Sequence, residues 1–387
     1  MLNHKPLPSL GGSGSRGDMG GLARAQNAWR CSLAEEFYGF LPKATPTCDV
    51  VRVGLGEGRA ERLIITLSHE GGTLTIDAAV WWPYAAPREV PLVIGLSFLG
   101  PAGVLMGEEF PLDPTARVSS DLRLGLNDKR LQPHIRGAHA ARWPLALFAE
   151  RGVALLLSCY GSWVPDDPQR WQDAGLAPFL NLGEGPHQSG AISLWAYALS
   201  RLVDVAVTLP EIDAARIAVA GHSRLGKAAL WAAAHDARIS TAIIHNAGTL
   251  GPALASHSTG ETLMDLATSF PHWVSPSCRA RLNAGITPTV DQHQALASIA
   301  PRNVIVGSAA LDAWADPVAE YLGLCAAAPA FAGATELPAA EEVFGDAIAP
   351  MQSVLVRRGP LAYHLRPGGH DLLPADWRVY LSLLDAF

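Results

Sequence analysis

Basic residues are scattered through this chain without a tract or stripe, and a formal charge of −7 leaves no broad positive face for a phosphate backbone. Nucleic acid is therefore excluded as an expected partner. Cysteine is scarce: Cys31, Cys48, Cys159, Cys278 and Cys325 lie far apart, with no C-x-x-C pair for zinc or redox chemistry. Their odd number leaves at least one thiol unpaired within the chain, so the redox compartment stays open. No apolar run reaches the roughly 18 residues of a membrane span. The nearest, Leu145 to Leu157, is broken by Glu150 and Arg151. Residues 1–24 are rich in glycine and serine and lack the apolar core of an export signal, so a disordered leader is expected there. The expected protein is soluble and monomeric, with no membrane partner; a start further upstream would make it secreted or periplasmic.

What is present reads as one globular unit. Apolar residues make up 49% of the chain and charged residues 17%, enough for a large core, and no linker or repeat divides residues 25–387. Leu63–Leu67 and Thr73–Trp81 alternate as an antiparallel pair joined at Gly71-Gly72. Val90–Phe98 and Val153–Tyr160 are nearly continuous apolar runs, the pattern of strands covered on both faces. Further strands fall at 217–220, 243–244, 304–307 and 361–365, with helical periodicity over Trp143–Glu150 and Gly190–Val205. Loop insertions are expected around 104–140 and 161–187. The alternation predicts an α/β three-layer sandwich: a mostly parallel central sheet between helices, with an N-terminal antiparallel extension.

The chemistry concentrates at Arg216-Ile-Ala-Val-Ala-Gly-His-Ser-Arg-Leu-Gly-Lys227. A short apolar strand runs into a glycine-flanked bend and then a helix, which puts Ser223 at the turn with its hydroxyl away from the sheet. Amides at a helix start lack intrahelical acceptors and can receive an oxyanion. The spacing is G-x-S-x-x-G, one residue longer than the usual nucleophile elbow. Arg224 and Lys227 add two cations within one turn of the serine.

A nucleophilic serine needs a base, and the base needs an acid. His370 follows the last strand in Arg366-Pro-Gly-Gly-His-Asp371, where two glycines permit a close approach. His364 lies inside that strand and reads as structural. His222 is expected to point away from the serine, whereas His245 and His257 are placed on a loop within reach of a pocket. After the strand at 304–307, Asp312 and Asp316 compete for the acid; Asp312 is favoured, with Asp316 left to cap a helix starting near Pro317. The resulting order, Ser223, Asp312, His370, is that of the α/β-hydrolase fold. Of the tryptophans, Trp81, Trp82, Trp195 and Trp231 read as core, and Trp163, Trp171, Trp273 and Trp314 as loop residues able to face a glycan.

These segments resemble the glucuronoyl esterases of carbohydrate esterase family 15, bacterial branch, over residues 25–385. The resemblance rests on Gly221-His-Ser-Arg-Leu-Gly-Lys227, Gly260-Glu-Thr262, Phe270-Pro-His-Trp273, Asp312-Ala-Trp-Ala-Asp-Pro317 and Gly369-His-Asp371 with Trp377. It implies hydrolysis of esters between 4-O-methyl-glucuronic acid on xylan and lignin alcohols, through a Ser-Asp-His triad and an acyl-enzyme. It implies no metal or organic cofactor, and a glucuronoxylan or lignin-carbohydrate ester as substrate. Carried over by residue, Ser223 is the nucleophile, His370 the base and Arg224 the oxyanion arginine. Lys227, Glu261, Trp314 and, more weakly, Gln188 would hold the sugar. Many members carry a glutamate acid where this chain has Asn246, which cannot supply a charge; the resemblance then implies Asp312 as the replacement. Two alternatives stay open: an esterase for another carbohydrate ester such as acetyl-xylan, and a catalytically impaired carbohydrate-binding protein.

Overall fold

Strands covered on both faces need helices on both sides, and the computed structural model has that arrangement. It describes residues 5–11, 19–56, 59–84, 89–121, 124–126, 128–345 and 352–385. The strands are β1 Thr47–Leu55, β2 Ala60–His69, β3 Gly72–Trp81, β4 Val90–Ser97, β5 Ala154–Cys159, β6 Ile212–His222, β7 Thr241–His245, β8 Asn303–Ala309, β9 Val354–Arg358 and β10 Leu361–Arg366. They form one sheet in the order β1-β2-β3-β5-β4-β6-β7-β8-β10-β9. From β5 to β10 the six adjoining strands are parallel; β1, β2 and β3 pair antiparallel at one edge and β9 at the other. The hairpin expected to close at Gly71-Gly72 turns one residue earlier, at Glu70-Gly71, both at positive φ, with His69 opposite Gly72 as the first pair.

The central strands are apolar on both faces because both are covered. In β5 every residue is buried, and in β4 all but Pro91. Burying one such Val, Leu or Ile is worth roughly 1.5–3 kcal/mol. The helices Ala191–Ala206 and Arg224–His235 pack together, and the Trp231 indole N–H donates to Ser193 Oγ at 3.0 Å. One apolar cluster extends from Trp29 to Leu383.

Two strands escape the sequence reading. β1 and β9 are edge strands with exposed Val51, Val53 and Leu355, so neither shows the continuous apolar run of a doubly covered strand. The described residues of the 104–140 stretch hold a 3₁₀ turn at Pro133–Ile135 and an isolated bridge, Asp121 with Leu126. Between 161 and 187 there is a single short helix, Leu176–Phe179, beyond the end of the Tyr160–Trp163 turn. A helix, Met19–Leu33, begins inside the stretch expected to be a leader; residues 1–4 and 12–18 of that stretch lie outside the described residues. Residues 5–11 contact the body through backbone carbonyls of Lys5 and Ser9, which meet His257 and His293. Among the described residues, no helix is long and apolar enough to cross a membrane.

Candidate active site

β6 ends at His222, and Ser223 occupies the bend at φ 59°, ψ −130° before the Arg224–His235 helix begins. A non-glycine residue there costs roughly 1–3 kcal/mol and persists only when its surroundings enforce it. Here they do: Ser223 N–H donates to the His245 carbonyl at 2.9 Å, and the Ser223 carbonyl accepts from Gly226 N–H at 2.8 Å. Gly221 is required for contact reasons, since a Cβ would sit 2.0 Å from the Leu225 carbonyl oxygen. Gly226 is packed in the same way, with its would-be Cβ 2.8 Å from Ala247 Cβ. The longer glycine spacing therefore still makes a nucleophile elbow.

Asp312 follows β8 and His370 follows β10, adjacent parallel strands, so both loops emerge at the same end of the sheet. His370 Nδ1 lies 2.6 Å from Asp312 Oδ2. A carboxylate can only accept, so Nδ1 carries the proton and Nε2 is left basic. Ser223, Asp312 and His370 line one cavity of ≈ 200 Å³. Among the described residues, neither Ser223 Oγ nor His370 Nε2 has a protein hydrogen-bond partner, an open arrangement common before substrate tightens the site. Asp316 caps the Pro317–Ala327 helix by accepting from Ala319 N–H at 3.0 Å, which separates the two candidate acids.

Asn246 lines the cavity but braces the loops instead of bonding His370. Its Oδ1 accepts from Ala309 N–H at 2.8 Å, and its Nδ2 donates to the Asp371 carbonyl at 3.3 Å. That carbonyl also accepts from Arg366 Nη2 at 2.6 Å and His245 Nε2 at 2.8 Å. Burial pushes the His245 imidazole down to about 3, so it is neutral, with Nε2–H donating to Asp371 and Nδ1 accepting from Tyr380. His245 is thus a buried brace at the end of β7, not the pocket-lining loop residue that the sequence suggests. His222, expected to point away from the serine, has its ring 4.5 Å from that of His370, centroid to centroid.

The cations divide their work. Arg224 Nη1 pairs with Asp166 Oδ2 at 2.5 Å, and its guanidinium lies 4.6 Å from the Trp273 ring centroid, 5.5 Å from Phe270 and 5.6 Å from Phe98. Asp166 also accepts from Tyr160 OH, His272 Nε2 and Trp273 Nε1 at 2.8, 2.8 and 2.9 Å. Burial alone would raise its pKa, but Arg224 and the His272 bond outweigh it and hold the carboxyl well below the usual range. Asp166 is the principal residue that sequence reasoning misses: its partners lie 58 and 106 positions away, and only the loop insertion that holds it was visible.

Lys227 is buried, and its Nζ donates to Glu261 Oε2 at 2.6 Å and to the Thr249 carbonyl. Burial lowers the pKa of its ammonium, and Glu261 opposes the shift. Glu261 Oε1 accepts from the Trp314 indole N–H at 3.0 Å. Trp314 is 54% exposed and lines the cavity together with Phe270 and Trp273, whose rings stack on each other at 3.9 Å. Trp163 is not a glycan platform: it is fully buried, with its indole N–H on Ser158 Oγ at 2.9 Å. Gln188 is not among the residues lining the cavity, and its backbone carbonyl packs against Gly39. Among the described residues there is no cluster of three or more His, Cys, Asp or Glu side chains able to hold a metal ion.

An elbow serine on the central strand of this sheet, with a histidine and aspartate on loops from neighbouring strands, defines the class: a serine carboxylic-ester hydrolase of the α/β-hydrolase fold. Comparison with known proteins narrows this. The family model described as glucuronyl esterase, fungi, matches residues 118–333. The chain is 30% identical over 336 residues to carbohydrate esterase MZ0003 from an unknown prokaryotic organism, covering 85% of this chain and 75% of that one. A solved glucuronoyl esterase from Solibacter usitatus superposes with a TM-score of 0.83 at 29% identity, over 100% of this chain and 98% of the other. A promiscuous CE15 esterase from a marine bacterial metagenome superposes at 0.84 with 27% identity and the same coverage. The chain belongs to the glucuronoyl esterases, carbohydrate esterase family 15.

Proposed function

We propose that this protein cleaves 4-O-methyl-glucuronoyl or glucuronoyl esters of xylan-bound uronic acid, with Ser223 as nucleophile, His370 as general base and Asp312 as its acid. The observation that carries this reading is the shared cavity: Ser223, the Asp312–His370 pair and the Lys227–Glu261–Trp314 chain line one space. The uronic ring stacks on the exposed face of Trp314, and its hydroxyls meet the Lys227–Glu261 pair, which offers a donor and an acceptor side by side.

His370 Nε2 takes the serine proton as Ser223 attacks the ester carbonyl. Arg224, fixed by Asp166 and three aromatic rings, and the amides opening the Arg224–His235 helix receive the oxyanion. The imidazolium is stabilised by Asp312 and returns its proton to the departing alcohol. Water then attacks the acyl-enzyme by the same route. The test compares methyl and benzyl glucuronate with acetylated xylose. The expected result is a higher kcat/KM on both glucuronates; a preference for the acetyl ester overturns the uronate assignment and supports the other carbohydrate-ester reading.

A further inference from the structure

The base of the reaction stands on a loop that has no ladder or helix of its own. Between the end of β10 at Arg366 and the helix Pro374–Leu384, residues 367–373 form neither strand nor helix, and the His370 side chain at its middle is 40% exposed. Among the described residues, the His370 backbone makes no hydrogen bond to protein. Its seat on Asp312 must therefore be set by the residues on either side of it.

One side chain gathers those neighbours. The Arg366 guanidinium is buried and folds back over the loop that follows it. Nη1 donates to the Pro367 carbonyl at 2.9 Å, and Nη2 donates to the carbonyls of Gly369 at 3.1 Å and Asp371 at 2.6 Å, one on each side of His370. Nε donates to Asp376 Oδ2 at 3.0 Å. Asp376 is fully buried in the first turn of the Pro374–Leu384 helix and also accepts from Leu373 N–H at 2.9 Å, so the anchor is itself fixed. Gly368 makes room for the guanidinium: its φ is 98°, and a Cβ there would lie 3.0 Å from Arg366 Nη1. Its carbonyl turns the other way and accepts from Leu311 N–H at 2.9 Å, while the Arg366 carbonyl accepts from Ala310 N–H at 2.9 Å. The loop that carries the base is thus tied to the loop that carries the acid, one residue before Asp312.

We propose that Arg366 is the positioning residue for His370: its guanidinium, anchored on Asp376, holds the loop so that the imidazole stays on Asp312 in the cavity shared with Ser223. A guanidinium suits this task because three coplanar nitrogens can serve four acceptors, which the single nitrogen of a lysine cannot do. Arg366 is absent from the cavity lining, so it reaches the reaction only through the loop. The proposal rests on the glucuronoyl esterase reading for its substrate and on His370 as base for its effect.

The test uses the full chain and Arg366→Lys, which keeps a cation beside Asp376 but leaves one nitrogen for four acceptors. Turnover of methyl 4-O-methyl-glucuronate and equilibrium binding of free 4-O-methyl-glucuronate are measured well below the melting temperature of each variant. The kcat should fall by about 10²-fold, the cost of displacing a reacting group by about 1 Å. The Kd of the free uronate should stay within about twofold, because the residues proposed to hold the sugar lie on other elements. In a His370→Ala background the same substitution should lower the residual rate by about twofold or less, since the group it positions is gone. Asp376→Asn, which weakens the anchor but leaves the guanidinium in place, should lower kcat by about tenfold, and it carries the test if the lysine variant does not fold. An unchanged kcat in both variants, equal losses in kcat and uronate binding, or a loss that persists in full in the His370→Ala background overturns the positioning role. If the wild type hydrolyses acetylated xylose and not the glucuronate, the uronate reading fails, and the same comparison with His370→Ala on the acetyl ester decides the role of Arg366. Turnover of neither ester overturns both.

Discussion

Replacing Asp312 by asparagine removes one charge from the site and little else, which makes it the sharpest probe of how His370 is supported. Asp312 is buried, and its Oδ2 approaches His370 Nδ1 at 2.6 Å, so the carboxylate both fixes the tautomer and compensates the imidazolium. No second carboxylate bonds His370 among the described residues, and both ends of the Asn246 amide are engaged by Ala309 and Asp371. Loss of this partner should lower kcat by roughly 10³–10⁴-fold, as in a triad that keeps its geometry but loses its acid. At about 1.4 kcal/mol per tenfold, that is roughly 4–5.5 kcal/mol of barrier. Asn246→Ala should cost far less. It leaves Arg366 and His245 still holding the Asp371 carbonyl and orphans the buried Ala309 amide, a stability loss of about 1–3 kcal/mol with kcat down by about tenfold or less. The assay is steady-state hydrolysis of methyl glucuronate, with circular-dichroism melts to confirm folding. Equal, small effects from the two substitutions, or a larger effect from Asn246→Ala, would refute the assignment of Asp312 as the acid.

Three further outcomes follow from the geometry. Trp314→Ala should raise KM for methyl glucuronate more than for a small aryl acetate and leave stability within about 0.5 kcal/mol, because the side chain is 54% exposed; a uniform loss on both substrates would count against a sugar-stacking role. Asp166→Asn should lower kcat more than it changes KM, and should cost about 3–5 kcal/mol in unfolding measurements at neutral pH, since it strands the Arg224 guanidinium; an unchanged melt and kcat would contradict the anchoring of Arg224. Glu320, wholly buried under the Ala247 and Gly248 amides and Ser308, has its carboxyl pushed up to about 8, by burial first. Its folded pKa exceeds the unfolded one, so its contribution to stability is complete at acid pH and is lost as pH rises through about 8. Glu320→Gln should remove that decline, and parallel wild-type and variant stability profiles between pH 5 and 9 (roughly the span of the two pKa values) would contradict it.

The elbow, the two loops after β8 and β10 and the parallel sheet are legible in the sequence because each has a local signature. Apolar runs mark strands buried on both faces, two glycines mark the His370 loop, and Asp316-Pro317 marks a helix start that frees Asp312. Edge strands lack such a signature, which is why β1 and β9 are invisible. Asp166 is hidden for another reason: an aspartate in a proline-rich loop looks like ordinary turn chemistry until the fold brings Arg224, His272 and Trp273 around it. Gln188 shows a limit of resemblance: its backbone is held against Gly39, and it is not among the residues lining the cavity.

Everything in the proposed reaction passes through one hydroxyl, so the most direct measurement is turnover of methyl 4-O-methyl-glucuronate by the wild-type protein and by Ser223→Ala. The wild type should release methanol and free uronate catalytically, and the variant should lose at least roughly 10³-fold in kcat while keeping its fold, with residual rate left to the oxyanion donors. Substantial turnover by Ser223→Ala would contradict the account.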